Sequence, residues 1–472
     1  MFLFEGKKVN KNKVAIITEK NEFITYEKLF KYIDNFSKNI KKKSVAFIIC
    51  KNNLETIVSY LSFMESECVI SLLDENISEI SLKKLIKNYR PEYIFFDKKK
   101  KLKLKNYHSI YNFYSHELLV SQKNYRIKLY NQLSLLISTS GSTGTSKFVR
   151  QSNKNLINNT KVICDYLSIT EKDTTITTLP MSYVYGLSII NTHLYSGSSI
   201  ALNSKSLVEK KFWKSLYENK VTNFGGVPYT YSILERINLD KFNLKYLRYT
   251  TQAGGKLNKT TAKNIINKYE NLNIKLYIMY GAAEATARMS YLPFIDIKKK
   301  ISSVGKPISG GKFFIIGQNK KRIRKPNIIG ELYYKGKNVC LGYANNYKDL
   351  SKGDTNKGLL RTGDLAYKDK DGYYYITGRK DRHIKIFGLR VNLQELEEII
   401  FDFGVQNMCV EEKLNKILIY VKNFQNFNTL IKYINKETNL HPSSFKIINI
   451  KEFPLNKNLK ISYDKNLIEN NE

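Results

Sequence analysis

The sequence predicts a mixed α/β protein whose large N-terminal domain is built from parallel-sheet βαβ subdomains. Fully apolar runs of strand length, such as 45–50 and 93–96, alternate with amphipathic stretches of helical length. Strands that are buried on both faces and connected by helices are typical of parallel sheets. From residue 330 the pattern changes to short strands with glycine turns, and then to a compact α+β segment. We therefore also expect a small β-rich subdomain and a mobile small α+β C-terminal domain.

The first 120 residues contain alternating predicted strands and helices. Thr25 is placed to cap the first helix, because a threonine hydroxyl can accept the unpaired N–H groups of a first helical turn. The lysine-rich segment that begins at Asp97 is expected to be a solvated connection. Strands are predicted at 14–18, 45–50, 68–73 and 93–96, with helices after Thr25, at 55–65 and at 82–88.

Several later strands end in loops of small or polar residues. In open α/β sheets, ligands bind beyond the carboxyl ends of the strands, so loops far apart in sequence can share one pocket there. The only tryptophan, Trp213, lies in an amphipathic stretch and is expected in the core. Strands are predicted at 135–137, 175–180, 247–251 and 275–279, a strand end followed by a turn at 223–228, and helices at 155–167, 187–195 and 207–219.

The predicted domain boundary follows residue 380. Residues 1–380 form the large domain, with its β-rich subdomain at about 300–380, and residues 381–472 form the small domain, hinged at Asp381. Strands are predicted at 331–335, 339–343, 373–377, 417–421 and 445–450, with helices at 393–403 and 430–435.

Composition restricts the class of protein. With 472 residues, of which 42% are hydrophobic, the chain can fill a large core, which argues against disorder. The net charge of +36 suggests a nucleic-acid or membrane partner, but the lysines are spread along the whole chain, which favours a solvated surface. No apolar run is long enough to span a membrane, and the N-terminus lacks the pattern of a signal peptide. The five cysteines lie far apart without a C-x-x-C pair, which fits a reducing cytoplasm.

A Ser/Gly-rich loop follows the predicted strand at 135–137. Its glycines permit unusual backbone angles, and its hydroxyls, N–H groups and Lys147 could cradle a polyphosphate. It is not a Walker A loop, because Ser146 rather than glycine precedes Lys147. An ordinary surface loop is the alternative interpretation.

An ordered set of motifs covers nearly the whole chain. In this order and spacing the set resembles the adenylate-forming enzyme superfamily, which includes acyl-CoA synthetases, adenylation domains and luciferase-like ligases. The motifs are STSGSTGTSK, LPMSYVYGLS, LRYTTQAGGKL, MYGAAEATARMS, GELYYKGKNVCLGY, LLRTGDLAYKDKDGYYYITGRKDRHIKIFGLRVNLQELEE and FPLNKNLKISYDK.

The resemblance implies that a carboxylic acid is joined to AMP with ATP and Mg²⁺, releasing pyrophosphate, and is then passed to a thiol. Cations and donors are needed because a carboxylate must approach a highly anionic phosphate chain. Glu284 would help to hold Mg²⁺, and Lys460 would bridge the carboxylate and the α-phosphate. The residues implied in holding the β- and γ-phosphates are Thr139, Ser140, Gly141, Ser142, Thr143, Gly144 and Lys147.

Further roles come from the same resemblance. Tyr280 would pack against adenine, and Asp364, assisted by Arg379, would accept hydrogen bonds from both ribose hydroxyls. Rotation about Asp381 would withdraw Lys460 and bring the 385–388 face, including Gly388, to a thiol tunnel. Other nucleotide contacts would come from Gly254, Gly255, Gly281 and Ala283, and the acid pocket would be formed by Tyr183, Tyr185, Gly186, Val227 and Gln252.

Each role also has a structural alternative. Asp364 could cap its turn, Glu284 could cap a helix, and Lys460 is one lysine among many. Tyr183 and Tyr185 could be core aromatics. His193 and His383 are expected to be packing or surface residues rather than catalysts.

The sequence departs from the family pattern at several positions. The family usually has Pro at Ser146, Gly at Phe148, Thr at Ala283 and Gly at Leu459. A binding-only relative that has lost catalysis is therefore one possibility. Tyr183 replaces the histidine that is frequent in acyl-CoA synthetases.

The nature of the acid and of the acceptor stays open at this point. SYVYG lacks the aspartate that pairs with the substrate ammonium in amino-acid-activating members, and a buried ammonium without a counter-charge is costly. A non-amino acid of short or medium length is therefore favoured, with an amino acid as the alternative. The acceptor would be CoA or the phosphopantetheine of a separate acidic carrier protein, which a basic surface would attract. A nucleic-acid-binding protein with a degenerate nucleotide fold is the alternative from another class.

Overall fold

The structure is a computed structural model that describes residues 9–138, 147–386, 389–412, 416–438, 440–456, 460–463 and 468. Its helices are α1 (Tyr26–Ser37), α2 (Leu54–Glu65), α3 (Glu79–Tyr89), α4 (Asn153–Leu167), α5 (Val184–Tyr195), α6 (Lys210–Glu218), α7 (Pro228–Arg236), α8 (Lys259–Asn271), α9 (Leu393–Asp402) and α10 (Phe427–Thr438).

The strands of the first half of the chain are β1 (Val14–Ile17), β2 (Phe23–Thr25), β3 (Val45–Cys50), β4 (Val69–Asp74), β5 (Tyr93–Asp97), β6 (Tyr107–Phe113), β7 (His116–Ser121), β8 (Leu133–Ser138), β9 (Phe148–Ser152), β10 (Thr174–Ile176), β11 (Ser199–Ala201), β12 (Asn223–Gly226) and β13 (Tyr249–Gln252). Those of the second half are β14 (Lys275–Tyr280), β15 (Ser290–Leu292), β16 (Lys306–Pro307), β17 (Lys312–Ile316), β18 (Arg322–Ile323), β19 (Gly330–Lys335), β20 (Gly342–Ala344), β21 (Leu359–Lys368), β22 (Tyr374–Arg379), β23 (His383–Ile386), β24 (Leu389–Asn392), β25 (Asn407–Glu412), β26 (Lys416–Lys422) and β27 (Phe445–Ile450).

Two large mixed sheets form the framework of the described residues. One has the strand order β16-β15-β14-β13-β12-β10-β11-β1-β2 and the other has the order β20-β9-β8-β4-β3-β5-β7-β6. The central strands of both sheets are parallel, whereas β2, β15 and β16 in the first sheet and β6, β7, β9 and β20 in the second run antiparallel to their neighbours. The predicted α/β fold class is confirmed.

Helices separate and cover these sheets. One continuous core contains apolar residues of α1, α2 and α5 together with residues of both sheets, so these helices lie between the two sheets. Helices α6, α7 and α8 cover the outer face of the first sheet, and α3 covers the outer face of the second. This layering buries both faces of the central strands, which is why the run at 45–50 is apolar throughout.

Two smaller parts follow the large sheets. Strands β18-β17-β19-β21-β22 form an antiparallel sheet with its own core, at the position where the sequence predicts a β-rich subdomain. Beyond it, α9, α10 and the sheet β25-β26-β27 enclose a further core that includes Leu396, Ile417 and Ile434. The boundary after residue 380 and the mobility of the last part remain predictions.

Most predicted elements are found within a few residues of their expected positions. Thr25 caps α1, because its Oγ1 accepts the backbone N–H of Lys28 at 3.2 Å. Trp213 is 4% exposed and belongs to the core, as expected. The hairpin β6–β7 was not predicted, since its first strand is largely exposed and lacks an apolar run.

One strand prediction is wrong. The segment 339–343 was expected to form a strand of the β-rich subdomain, but the strand is β20, and it pairs with β9 at the edge of a large sheet. Gly342 lies opposite Arg150 in this pairing, with a φ of +114° that favours glycine. The chain therefore returns from the β-rich sheet to the framework at this point.

His193 on α5 is a packing residue, in agreement with the sequence interpretation. It is 2% exposed, its Nδ1 donates to the carbonyl of Ile189 at 2.8 Å, and Asn223 Nδ2 donates to its Nε2 at 3.1 Å. Burial lowers the pKa of His193 to about 4, from an ordinary value of 6.5. The side chain is therefore buried in its neutral form.

We expect His193 to make folding sensitive to acid. Between pH 6.5 and about 4 the unfolded chain binds a proton at this residue that the folded chain does not, so stability falls as the pH drops through this window. In urea unfolding, the stability difference between wild type and His193→Gln should shrink by roughly 2–3 kcal/mol from about pH 7 to about pH 4. His108→Gln, at an exposed histidine, is measured alongside as a matched substitution. An unchanged pH dependence in His193→Gln would contradict a buried neutral imidazole.

Candidate active site

A large cleft opens where the parallel strands of the first sheet end. Its volume is about 1940 Å³. It is lined by residues after β13 and β14, by the start of α5, by β21, and by a C-terminal segment that includes Lys460. Since the carboxyl ends of parallel strands meet at one edge of a sheet, loops distant in sequence come together here.

A carboxylate lies on one wall of the cleft. Asp364 on β21 accepts a hydrogen bond from the hydroxyl of Tyr280, and its Oδ1 lies 3.8 Å from Arg379 Nε. Asp364 and Arg379 are also paired across β21 and β22, which places their side chains side by side. Burial, and then the charge of Asp364, raise the pKa of Tyr280 well above its ordinary value, so Tyr280 is a hydrogen-bond donor to the carboxylate.

A second carboxylate, Glu284, belongs to a short 3₁₀ turn after β14. The hydroxyl of Tyr343 donates to its Oε1 at 2.8 Å, and Lys147 Nζ lies 3.6 Å from the centre of the Tyr343 ring. Lys147, Tyr343 and Glu284 all line the cleft. A cation and an anion are therefore held close together through one aromatic ring, which attracts the cation by its π face and donates to the anion by its hydroxyl.

Arg150 fixes the segment that carries Tyr343. This arginine is completely buried, and its guanidinium donates to the carbonyls of Leu341 at 2.8 Å, Tyr343 at 3.1 Å and Gly353 at 3.0 Å. Burial lowers the pKa of Arg150, and the carbonyls compensate for the lost water. The position of Tyr343 is thus set by a charge buried under the loop.

The opposite end of the cleft is formed around Gly254, whose φ is +90°. A Cβ atom at this glycine would lie 2.8 Å from Tyr183 Oη, 3.1 Å from Val227 Cγ1 and 3.2 Å from Lys460 Cε. Lys460 Nζ lies 5.3 Å from the centre of the Tyr183 ring. The structure therefore brings a C-terminal lysine against the glycine turn of the large domain.

A further contact connects the last part of the chain to this rim of the cleft. Lys256, which follows the glycine turn, has its Nζ 2.6 Å from Glu398 Oε1 on α9. Both residues line the cleft. Helix α9 thus faces the same cleft as the strand ends of the first sheet.

A tyrosine and an arginine lie at the inner end of the cleft. Tyr185 is 1% exposed, and its hydroxyl donates to the carbonyl of Thr251 at 2.8 Å. Arg288 is 3% exposed, and its Cζ lies 3.9 Å from the centre of the Tyr185 ring. Burial raises the pKa of Tyr185 to about 12, so the ring is neutral and packs against a cation.

The structure brings together many of the predicted site residues. The predicted residues that line the cleft are Lys147, Tyr183, Tyr185, Gly254, Gly255, Gly281, Ala283, Glu284, Asp364, Arg379 and Lys460. Glu284 and Asp364 share this single cleft, as a common nucleotide site requires.

Four predicted residues lie behind the cleft wall instead. Tyr280 lies behind Asp364, and Val227 lies behind Gly254. Gln252 is buried, and its Nε2 donates to the carbonyl of Gly255 at 2.8 Å, so it supports the glycine turn. At Gly186 a Cβ would lie 2.2 Å from the Pro180 carbonyl oxygen, so this glycine permits close packing of α5.

Other predicted residues lie outside the described part of the chain. They are Thr139, Ser140, Gly141, Ser142, Thr143, Gly144 and Gly388, together with the side chains of Asp381 and Lys385.

Tyr343, Arg150 and Arg288 were not among the predicted site residues. Tyr343 and Arg288 occur within quoted motifs, but only the fold shows that they face the cleft. One signal for Arg288 was available in the sequence, because this arginine lies just before the short strand β15. An arginine is seldom buried beside a strand unless its charge is paired or has a function.

The residues of the cleft fit an implied Mg²⁺ ion. Glu284 Oε1 accepts from Tyr343, and its Oε2 has no hydrogen-bond partner among the described residues. No group of three or more His, Cys, Asp or Glu residues that could cage a metal occurs in the described part of the chain. One carboxylate suits Mg²⁺, which usually keeps its waters and is bound mainly through substrate phosphates.

Among the described residues, no helix is long and apolar enough to cross a membrane.

The fold and the cleft define an α/β protein with one large cleft at its strand ends, and comparison with known proteins identifies its family. The profile described as "AMP-binding enzyme" matches residues 3–344. The chain therefore belongs to the AMP-binding enzyme family.

Similar curated proteins include luciferin 4-monooxygenase of Photuris pensylvanica, which is 30% identical over 275 residues, covering 57% of this chain and 49% of that protein. Oxalate–CoA ligase of Arabidopsis thaliana is 28% identical over 301 residues, covering 61% of this chain and 57% of that protein. The matches thus span about half the length of these relatives.

Similar solved structures include ATP-bound MatB from Rhodopseudomonas palustris, with a TM-score of 0.82, 20% identity, and coverage of 99% of this chain and 97% of that chain. The o-succinylbenzoate CoA synthetase of Bacillus subtilis, in complex with its acyl-adenylate intermediate, has a TM-score of 0.78 at 20% identity and covers 98% of this chain and 96% of that chain. These similarities establish the fold.

The turn after β14 should not tolerate a side chain at Gly281. A Cβ there would lie 1.6 Å from the carbonyl oxygen of Ala287, which cannot move without displacing the turn. We expect Gly281→Ala to lower the free energy of unfolding by more than about 2 kcal/mol in urea titrations.

Gly353 provides the matched control. Its nearest heavy atom would be 3.9 Å from an added Cβ, and its φ lies outside the left-handed region, so Gly353→Ala should be neutral or stabilising by up to about 1 kcal/mol. Equal stability of the two variants would contradict the close approach at Gly281.

Proposed function

We propose that this protein uses ATP to activate a carboxylic acid as its acyl-adenylate and then transfers the acyl group to a thiol. A carboxylate oxygen attacks the α-phosphorus and the bond to the β-phosphate breaks, releasing pyrophosphate. The thiol sulfur then attacks the acyl carbon, the thiol proton passes to solvent, and AMP leaves. The observation that carries the proposal is that Asp364, Glu284 and Lys460 all line one cleft of an AMP-binding family member.

Asp364 and Arg379 are proposed to hold the ribose. Both oxygens of Asp364 are oriented, one by the hydroxyl of Tyr280 and the other by Arg379 at 3.8 Å. A carboxylate fixed in this way can accept hydrogen bonds from two neighbouring hydroxyls without reorganising. Tyr280 ends β14 and Glu284 lies in the turn that follows, so one turn connects the proposed ribose subsite to the proposed phosphate subsite.

Lys147 and Lys460 are proposed to neutralise negative charge from opposite sides. Lys147, at the end of the predicted phosphate loop, lies over the ring of Tyr343, and the hydroxyl of that tyrosine donates to Glu284. Lys460 contacts the Gly254 turn beside Tyr183, where a carboxylate could approach the α-phosphate. Fixed cations at the position where charge develops stabilise such a transition state strongly.

Mg²⁺, when bound, would neutralise phosphate charge, and Glu284 would hold it through its second oxygen.

The acid is proposed to be a non-amino acid of short or medium length. The charged groups on the rings of Tyr183 and Tyr185 are cations, Lys460 and Arg288, and none of the described carboxylates contacts either of them. An ammonium group placed there would be repelled rather than paired. The length is restricted because Tyr185 lines the cleft and is held in place, with its side chain buried and its hydroxyl bonded to the Thr251 carbonyl at 2.8 Å.

The acceptor is proposed to be CoA or a carrier-bound phosphopantetheine. The names of several relatives describe CoA ligases, which supports CoA, whereas the net charge of +36 supports docking of an acidic carrier protein. Rotation of the C-terminal part of the chain about Asp381 would then withdraw Lys460 from the cleft and bring the face that includes Gly388 to the thiol. A cytoplasmic location remains a prediction. The five cysteines are buried and form no disulfide, which is compatible with it.

Pyrophosphate release against a panel of carboxylic acids, with and without CoA, tests the activity. We expect release with at least one acid, and a fall on the order of a hundredfold in Lys460→Ala, because a cation beside the developing charge is lost. The exposed Lys446 provides a control, since Lys446→Ala removes the same charge from another surface and should retain activity. Release with no acid would reject the proposal, and an unaffected Lys460→Ala would reject the role of this lysine.

The role of Glu284 predicts a change in metal dependence. Glu284→Gln keeps the size of the side chain and an acceptor for Tyr343 but removes the charge, so the Mg²⁺ concentration for half-maximal pyrophosphate release should rise roughly tenfold or more. A magnesium titration of wild type and variant measures this shift. An unchanged half-maximal concentration, with reduced maximal activity, would assign Glu284 another role.

The net charge also motivates the nucleic-acid alternative. Binding that depends on phosphate contacts weakens steeply as the salt concentration rises. A gel-shift series from low to physiological salt distinguishes the hypotheses, since retained binding would favour this second function.

A further inference from the structure

Arg288 is a buried charge at the inner end of the cleft. Its side chain lies over the Tyr185 ring, its Nη1 is 3.2 Å from the carbonyl oxygen of Ala287, and its Nε is 3.4 Å from the sulfur of Met279. It is 3% exposed and lines the cleft. No described carboxylate lies within 4 Å of its guanidinium, so the charge is compensated only by a ring, one carbonyl and a sulfur.

Arg150 gives a comparison within the same chain. Both arginines are buried, but Arg150 donates to carbonyl oxygens along the whole edge of its guanidinium and thereby fixes a loop. A guanidinium has five N–H donors, and Arg288 uses two of them on described groups, one of which is a weakly accepting sulfur. Burying a cation with so few partners is unfavourable unless something else binds to it.

The backbone of Arg288 is held rigidly in this place. Asn159 Oδ1 accepts from its N–H at 3.2 Å, and the side-chain amides of Asn159 and Asn338 donate to its carbonyl at 2.9 and 2.8 Å. The preceding residue, Ala287, has a φ of +112°, which is unusual for a residue other than glycine. Strained backbone that is fixed by surrounding hydrogen bonds is typical of functional sites.

The two cations of the inner cleft lie on neighbouring tyrosine rings. Lys460 Nζ is 5.3 Å from the Tyr183 ring centre, Arg288 Cζ is 3.9 Å from the Tyr185 ring centre, and the two ring centres are 6.3 Å apart. We propose that the acid substrate is a short dicarboxylic acid, whose reacting carboxylate lies near Lys460 and whose second carboxylate is bound by Arg288. This inference rests on the proposed function and specifies its substrate class.

Pairing of the buried Arg288 charge favours a dicarboxylic acid over the other acids. A monocarboxylic acid with an apolar chain would leave the guanidinium buried without a counter-charge, and an amino acid would place a second cation beside it. A carboxylate matches the fork of the guanidinium with two parallel hydrogen bonds. The ring of Tyr185 closes the end of the cleft and limits the length of the chain between the two carboxylates.

Matched pairs of acids test the proposal with the full-length protein. Malonate, succinate and glutarate are compared with propionate, butyrate and valerate, which have the same chain lengths but lack the second carboxylate, and 4-aminobutyrate carries an ammonium instead. Initial rates of pyrophosphate release give kcat/KM for each acid. We expect the best diacid to exceed its monoacid partner by on the order of a hundredfold, because the partner leaves a buried charge unpaired.

Variants of Arg288 assign this preference to the arginine. Arg288→Met keeps the length and loses the charge, so the diacid preference should fall to about one, mainly through KM, while the monoacid rate is retained or rises. Arg288→Lys keeps the charge without the fork and should retain part of the preference. Arg322→Met is the control: it removes an arginine that lies over Phe314 outside the cleft and should not change the preference.

Each outcome has a defined consequence. Active wild type that prefers monoacids or amino acids, or an Arg288→Met variant that retains the diacid preference, overturns the inference but leaves the proposed function intact. No release with any acid overturns both. Thermal unfolding with and without ATP shows whether Arg288→Met is folded, and if it is not, the wild-type ratio together with Arg288→Lys decides.

Discussion

The close approach of Gly281 to the carbonyl of Ala287 is the constraint on which the candidate site depends. Because no side chain stands between them, the chain after β14 turns back on itself within a few residues. The residues around this turn face three different partners: Tyr280 faces Asp364, Glu284 faces Tyr343, and Arg288 faces Tyr185. A single tight turn therefore orients groups in three regions of one cleft.

Each of four charged side chains of the cleft has a tyrosine as its neighbour. Asp364 and Glu284 each accept a hydrogen bond from a tyrosine, which orients the carboxylate without neutralising it. Lys147 and Lys460 each lie near a tyrosine ring and keep their charge near the cleft. Such pre-oriented charges need little reorganisation when a polyanionic substrate arrives, which is the main electrostatic requirement of adenylation.

The site also depends on contacts between segments that are far apart in the chain. Arg150, on β9, holds the loop of Tyr343 by its carbonyls. Lys460, near the C-terminus, reaches the glycine turn after β13. These contacts show that the order of the strands in the sheets, rather than their order in the chain, decides which residues become neighbours.

Much of the fold could be predicted because it depends on local patterns. The apolar run of β3 must be buried on both faces, and its bounds were predicted correctly, as were those of β27. The hairpin β6–β7 could not be predicted, because β6 is largely exposed and therefore lacks a hydrophobic pattern. The sheet to which β20 belongs could not be predicted either, because it depends on the pairing of β20 with β9.

By itself, the sequence determined the α/β class and the order of the loops at the strand ends, because periodicity and turn residues act over a few neighbouring positions. Only the tertiary structure decided that Tyr343 contacts Glu284, that Gln252 supports a turn instead of lining the cleft, and that Arg288 lies buried over Tyr185. Burial and pairing of a charge depend on residues from other elements of the fold, such as Glu284 and Tyr343, which are 59 positions apart, and no local pattern contains that information.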